Sequence, residues 1–425
     1  MDFNAILHQL RQSVSTSIGY KDKISRKNVS SIVLREIEKL PRGVRKTFTD
    51  VDRDRLVDGV CNDIFGFGPL QELIDDDAVT EIMVTAIDRV YVERQGKKVL
   101  SGSQFEDAAQ VRSVVERMMM DVSRRLDESI PYCDFALGDG SRVHVIIPPL
   151  AVRCPQVTIR KYLGTIKNVD DLLGFGTLDK RMAEFLVACI RAKKNLLFSG
   201  ATGCGKTTTL SVLSSYIHPQ ERVVTIEDTL ELNLNLDHIV QLLTRPPNLE
   251  GKGEVTLRDL LRNSLRMRPS RILLGEIRGP EALDYLQAIN SGHRGCSGVL
   301  HASAPADALR RLETLALYAG LNPPVSAIRQ QIASGVDIVI QQDQLHDGSR
   351  RITHITEVQG LRDGEIQLQD LFRYELESTD ADGRAHGRFE VVSAPADLEV
   401  FHRLGIELSP SIFDPDHASI AAWIR

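Results

Sequence analysis

The stretch LLFSGATGCGKTTTL, residues 196–210, holds the densest chemistry in the chain. Gly200, Gly205, Lys206 and Thr207 fit G-x-x-x-x-G-K-[ST] without a gap, the pattern of a loop that cradles phosphates. Such a loop works because its backbone N–H groups converge on an anion at a helix N-terminus. The expected cradle is Gly200, Ala201, Thr202, Gly203, Cys204, Gly205, Lys206, Thr207 and Thr208. Lys206 would reach the β- and γ-phosphates of ATP, and the Thr207 hydroxyl would ligate Mg²⁺. An apolar run precedes the loop and a helix-spaced run follows it, which is the context the motif requires.

Hydrolysis asks for more: a carboxylate near Mg²⁺, a group that orients water, and positive charge for the transition state. Two apolar strands end in acids. VVTIEDTLEL offers Glu227 and Asp228, and RILLGEIRG offers Glu276, with Gly275 where P-loop enzymes usually place Asp. Glu227, Asp228 and Glu276 are therefore the candidate acids for water and metal, beside Lys206 and Thr207 of the loop. In EVTLRDLLRNSLRMRPS, Thr256 and Asp259 are spaced as a helix cap and Pro269 as a stop. Arg258, Arg262 and Arg266 then form an i, i+4, i+8 stripe, either a solvated face or a source of γ-phosphate contacts in the same or a neighbouring subunit. Arg278 in the acid-ended block is a further expected nucleotide contact. His293 and His301 flank a glycine-rich turn and a short apolar strand. No further Cys or His stands at ligand spacing, so phosphate or interface sensing suits them better than metal binding, with core histidines as the alternative.

The elements that must position these groups divide the chain. Residues 1–50 hold ten Lys or Arg against five Asp or Glu and read as a basic helical arm, fit for an acidic partner, a membrane surface or plain solvent. Residues 51–162 mix strands with one helix, AAQVRSVVERMMMDVSRRL, whose methionines suit a core. Turns are expected at Gln95-Gly96 and Asp139-Gly140, giving a compact α+β domain. Residues 163–179 read as a linker. From 180 to 377 strands alternate with helices, which predicts an α/β domain with a mostly parallel sheet covered on both faces. Residues 378–425 read as a polar extension ending in a helix-like stretch around Trp423.

Composition narrows the class. The 425 residues suffice for two or three domains, and 42% hydrophobic with 26% charged residues is ordinary for a globular protein. A net charge of −6 and the lack of an aromatic-plus-basic motif argue against nucleic acid as a partner. No apolar run approaches the roughly 18–20 residues of a membrane span, and the N-terminus lacks a secretory pattern. Six scattered cysteines without a C-x-x-C pair suit free thiols in the cytoplasm.

Four blocks stand in order: GATGCGKTT, TIEDTLEL, RILLGEIRG and GHRGCSGVLHAS. They resemble the Walker A, Asp box, Walker B and His box of the type II/type IV secretion ATPases. GFGPLQELIDDDAVTEIMV, DGSRVHVIIPPLA, TIRKY and TRPPNLEGKGEVTLRDLLRNSLRMRP further resemble the CpaF-type branch that drives Tad (Flp) pilus assembly. The resemblance implies a RecA-like ATPase domain behind a smaller N-terminal domain, and a homo-hexameric ring with nucleotide between the two domains. It also implies an inner-membrane platform protein as partner, hence a place at the cytoplasmic face of the inner membrane. By the same resemblance Glu227 polarises water, Glu276 supports Mg²⁺, His301 and His293 form the His box, and Arg142 and Arg160 neutralise nucleotide charge. Ser270 for Asp, His301-Ala-Ser for His-Ala-Asn, and the segment 294–298 depart from the branch, without removing a catalytic group. A conjugation or effector secretion ATPase shares all four boxes, and a nucleotide-binding scaffold with little turnover is the reading from another class.

Overall fold

A computed structural model describes residues 3–17, 25–45, 48–94, 96–120, 125–162, 166–232, 234–248, 251–320 and 323–414. Trp423 and its stretch lie outside the described residues. The chain divides into two compact units, 1–163 and 164–425.

The first unit opens with helices Phe3–Ser17, Arg26–Lys39 and Asp50–Phe65. Ser25 and Thr49 cap the second and third, each accepting a backbone N–H three residues on. Ile6, Leu10, Val29, Val33 and Ile37 share one buried cluster with Leu56 and Val60. The expected arm 1–50 is thus part of a packed bundle that extends into helix Asp50–Phe65 and is not held apart from it.

Strands β1 (Val79–Ala86), β2 (Arg89–Arg94), β3 (Lys97–Leu100), β4 (Tyr132–Ala136), β5 (Arg142–Ile146) and β6 (Gln156–Arg160) follow. They form an antiparallel sheet in the order β3-β2-β1-β6-β5-β4. Strand alternation sends Ile82, Val84, Val143, Val145, Val157 and Ile159 to one face, where Val111, Val114, Val115 and Met118 of helix Ala108–Met118 cover them. Met118 is core, whereas Met120 is exposed. Gly140 takes a left-handed φ of 87° in the turn joining β4 to β5.

The second unit is built on β7 (Leu196–Ser199), β8 (Val223–Glu227), β9 (Ile239–Leu243), β10 (Arg271–Leu274), β11 (Ser297–Leu300), β12 (Ile338–Gln344), β13 (Arg350–Arg362), β14 (Glu365–Thr379) and β15 (Ala385–Val391). The order is β15-β14-β13-β12-β7-β11-β10-β8-β9. From β12 to β9 every pairing is parallel, and β12 through β15 pair antiparallel. Strands β7, β8, β10 and β11 are buried at every residue, as a sheet covered on both faces demands. Two apolar clusters do the covering. One joins helices Lys180–Arg191 and Lys206–Ser214, and the other joins Leu257–Ser264, Glu281–Asn290, Pro305–Leu317 and Val325–Gly335. One strand, β11, stands between the phosphate-loop strand β7 and the acid-ended strand β10, and the unit is a RecA-like P-loop fold.

The sheet does not stop at 377. β14 runs to Thr379 and β15 lies wholly beyond it. Phe401 and Phe413 pack on Phe185 with ring centroids 6.1 and 5.6 Å away. At the other end Val169, Leu172 and Leu178 are buried in the same core. Both flanks of the expected domain are therefore packed parts of this unit.

Candidate functional site

Parallel strands direct their C-terminal ends to one edge of a sheet, and chemistry in open α/β folds gathers there. At the end of β7, Gly200 turns at φ 149°. A Cβ on it would stand 2.0 Å from the Gln342 carbonyl oxygen and 2.7 Å from Cys204 Sγ, so only glycine lets the chain pass. Gly205 (φ 98°) then leads into helix Lys206–Ser214. Lys206 is 5% exposed. Its Nζ donates to the carbonyls of Gly200 (3.0 Å) and Ala201 (2.6 Å) and lies 3.3 Å from His301 Nδ1.

His301 follows β11 and links the loop to the acid of β10. Its Nε2 is 3.4 Å from Glu276 Oε1, and its Nδ1 is 3.2 Å from the Gly200 carbonyl. A neutral ring protonated on Nε2 accepts from Lys206 and donates to Glu276. The His301 hydrogen bond holds the Glu276 carboxyl below the ordinary glutamate range, against the opposing effect of burial. His293 precedes β11 and therefore sits at the opposite edge, where its ring lies 3.4 Å from Ser291 Oγ. The two histidines expected together are separated by the length of a strand.

Glu227 ends β8 and is 2% exposed. Its Oε1 accepts the backbone N–H groups of Glu231 and Leu232, both at 3.0 Å, and so braces the loop after the strand. Its Cγ would stand 2.8 Å from a Cβ on Gly275. That contact is the physical reason for glycine before Glu276: the Glu227 side chain crosses the place a side chain would fill. Asp228 accepts from Thr244 Oγ1 (2.7 Å) and pairs with Arg278, whose guanidinium thus joins the two acid-ended strands.

The expected arginine stripe is corrected by the fold. The helix ends at Ser264, so Arg266 lies beyond its last turn. Arg258 Nε and Arg262 Nε instead bind the two oxygens of buried Asp284, at 2.6 and 2.7 Å. These two cations serve to tie helix Leu257–Ser264 to helix Glu281–Asn290. Nothing in the sequence near them announces Asp284, which lies 26 and 22 residues away.

In the first unit Arg142 and Arg160 stand directly opposite on β5 and β6, and Glu81 stands opposite Arg160 on β1. Arg160 Nε is 4.0 Å from Glu81 Oε1. Two like charges facing across a ladder cost free energy unless an anion offsets them.

Sequence reasoning passed over Gln342. Its Oε1 accepts from Thr209 Oγ1 at 2.8 Å and its Nε2 backs onto Gly205, so β12 supports the phosphate loop from behind. The available signal was polar Gln341-Gln342 ending the apolar run IVI at 338–340.

The loop and the sheet order define the class as a RecA-like P-loop fold. Residues 64–387 match the family described as Type II/IV secretion system protein, and the chain belongs to that family. A putative conjugal transfer protein of Mycobacterium tuberculosis is 34% identical over 313 residues, spanning 72% of this chain and 88% of its own. Type IV secretion system protein PtlH of Bordetella pertussis is 35% identical over 249 residues, 52% of this chain and 73% of its own. The crystal structure of the VirB11 ATPase from the Brucella suis type IV secretion system, in complex with sulphate, is 29% identical and covers 68% of this chain and 94% of its own, with a TM-score of 0.37.

Proposed function

We propose that the chain hydrolyses ATP as one subunit of a homo-hexameric motor in a type IV machine. The observation that carries this reading is the continuous line Lys206–His301–Glu276 across the phosphate loop. A phosphate chain bound at the loop would compete with the Gly200 and Ala201 carbonyls for the Lys206 ammonium. His301, released by Lys206 yet still on Glu276, would report that exchange to the acid of β10. Glu227, fixed by two backbone N–H groups, keeps the strand end from shifting and is the candidate to orient water.

The donor set fits Mg²⁺ held largely through a nucleotide. The His301 hydrogen bond favours the charged form of Glu276, and Thr207 lies in the first turn of the helix after the loop. One carboxylate and one hydroxyl, with phosphate oxygens and water, suit a hard octahedral cation. Among the described residues no group of three or more His, Cys, Asp or Glu makes a self-standing metal cage. When bound, Mg²⁺ would neutralise charge on the β- and γ-phosphates. Arg142 and Arg160, facing each other across β5 and β6, are the candidates for further neutralisation, and Arg278 is a candidate once it leaves Asp228.

Among type IV machines we favour Tad (Flp) pilus assembly, on the blocks at 66–84 and 244–269, with an inner-membrane platform protein as partner. Among the described residues no helix is long and apolar enough to cross a membrane, so attachment would run through that partner. The names of the relatives in conjugal transfer favour a second reading, a conjugation ATPase. A deletion strain separates them: loss of surface pili supports the first, and loss of DNA transfer with pili intact supports the second. Hydrolysis itself is tested by ATPase activity per mole across a wide protein concentration range, with Glu276→Gln as control. Activity that climbs with concentration and vanishes in the control is the expected result. Tight ATP binding with turnover no greater than that of Lys206→Ala would make the chain a nucleotide-binding scaffold.

A further inference from the structure

Strands β12 and β13 are joined by a tight turn, closed where Leu345 N donates to the Ser349 carbonyl at 2.7 Å. Arg350 is the first residue of β13 and pairs with Gln344. That register brings its side chain against the phosphate loop, with Cδ 3.5 Å from where a Cβ on Gly205 would stand. Arg350 is half-buried, and its Nε is buried with no hydrogen-bond partner among the described residues. The acids of the same hairpin are engaged elsewhere. Asp343 accepts from Gln341 Nε2 and Thr353 Oγ1, and Asp347 accepts from Ser349 and the Ala385 N–H. Neighbouring Arg351 is also committed, donating to the Phe175 carbonyl at 2.9 Å.

A buried donor of a permanent cation, left unpaired beside an anion-binding loop, is best explained by an anionic ligand that completes it. We infer that Arg350 is a nucleotide-contacting residue supplied by the same subunit, a role that rests on the proposed nucleotide reading of the loop. Its place on the loop also assigns the part of the nucleotide. Lys206 Nζ, His301 and Glu276 gather at the Gly200 end, whereas Arg350 stands at Gly205. Arg350 therefore contacts the portion shared by ATP and ADP, the inner phosphates or the ribose attached to them, and leaves the γ-phosphate to the other end.

The test is equilibrium binding of fluorescent ADP and of a fluorescent non-hydrolysable ATP analogue, each with Mg²⁺, to the full chain and to Arg350→Gln, Arg350→Lys and Lys206→Ala. Loss of one charge-assisted hydrogen bond predicts that Arg350→Gln weakens both ligands by about tenfold or more, and by the same factor. Arg350→Lys should recover part of the loss, and the unliganded variants should melt with wild type. Unchanged affinity in Arg350→Gln while Lys206→Ala loses binding would overturn the inference and leave the loop reading intact. Weakened binding of the ATP analogue alone would overturn it too, since the contact would then be to the γ-phosphate. Lowered melting of both Arg350 variants, with no recovery in Arg350→Lys, would reduce the residue to a brace. If Lys206→Ala also binds both nucleotides normally, the loop reading itself fails.

Discussion

At the scale of single residues the site depends on two contacts that a substitution can address separately. Gly275 is small because Glu227 passes over it. Gly275→Ala should push that side chain by up to about 1 Å and lower kcat by as much as ~10²-fold, the cost a misplacement of that size can carry in a catalytic array. Nucleotide affinity, read by titration, should hold, because the phosphate loop is untouched. The second contact is His301 on Glu276. Because the folded-state carboxyl lies below its ordinary value, its contribution is fully present above that value and is lost as pH falls through the folded one. His301→Ala removes the leading cause, so burial, which raises the carboxyl, is opposed only by the charges of Arg278 and Lys206. The acid limb of the pH–kcat/KM profile should therefore move to higher pH, and a limb that stays in place would refute the contact. The phosphate loop and both acid-ended strands were legible because each is a local pattern. Gln342 was not, since its partner Thr209 lies 133 residues away in sequence and only the sheet brings them together.

At the scale of elements the arginine stripe shows how a correct pattern can leave the partner unseen. Spacing placed Arg258 and Arg262 on one face of a helix, and the structure agrees. What spacing could not show is that helix Glu281–Asn290 presents Asp284 to that face, with the Asp284 side chain only 7% exposed. Removing one partner of a buried ion pair leaves charge uncompensated. Asp284→Ala should lower unfolding stability by about 2 kcal/mol, below the buried-pair range because solvent reaches Arg262. Denaturant unfolding of Asp284→Ala beside Arg258→Ala measures this. Equal stability of both variants with wild type would return the arginines to the surface and reopen their role toward nucleotide. The helix cap itself was fully legible: Thr256 Oγ1 accepts from Asp259 N, and Asp259 Oδ2 accepts from Thr256 N.

At the scale of the whole molecule, alternation of strands and helices gave the parallel sheet, yet composition misled where polar residues decorate packed segments. Residues 378–414 look like a tail because β15 sets charged and polar residues around single apolar ones, and only Ala385 of that strand is buried. The aromatic pair Phe401 and Phe413 is too sparse to signal a core, although both close over Phe185, and Phe413 also reaches Phe372 at 5.5 Å. A chain ending at residue 377 would lose β15, uncover the edge of β14 and expose Phe185 and Phe372. Phe→Ala in a packed core costs about 3–5 kcal/mol, and loss of both rings with the pairing of β15 exceeds the margin most domains have. The chain cut at 377 should therefore melt well below one cut at 414, or fail to accumulate in folded form, and it should lose nucleotide binding although every residue of the phosphate loop is retained. Phe401→Ala in the full chain separates packing from chain length. It should lower the melting temperature while leaving the nucleotide affinity of the folded protein intact, because Phe401 touches the loop only through the shared core. If the chain cut at 377 melts with the full chain and binds nucleotide as well, residues 378–414 are an appendage and the ATPase unit ends where composition first placed its boundary.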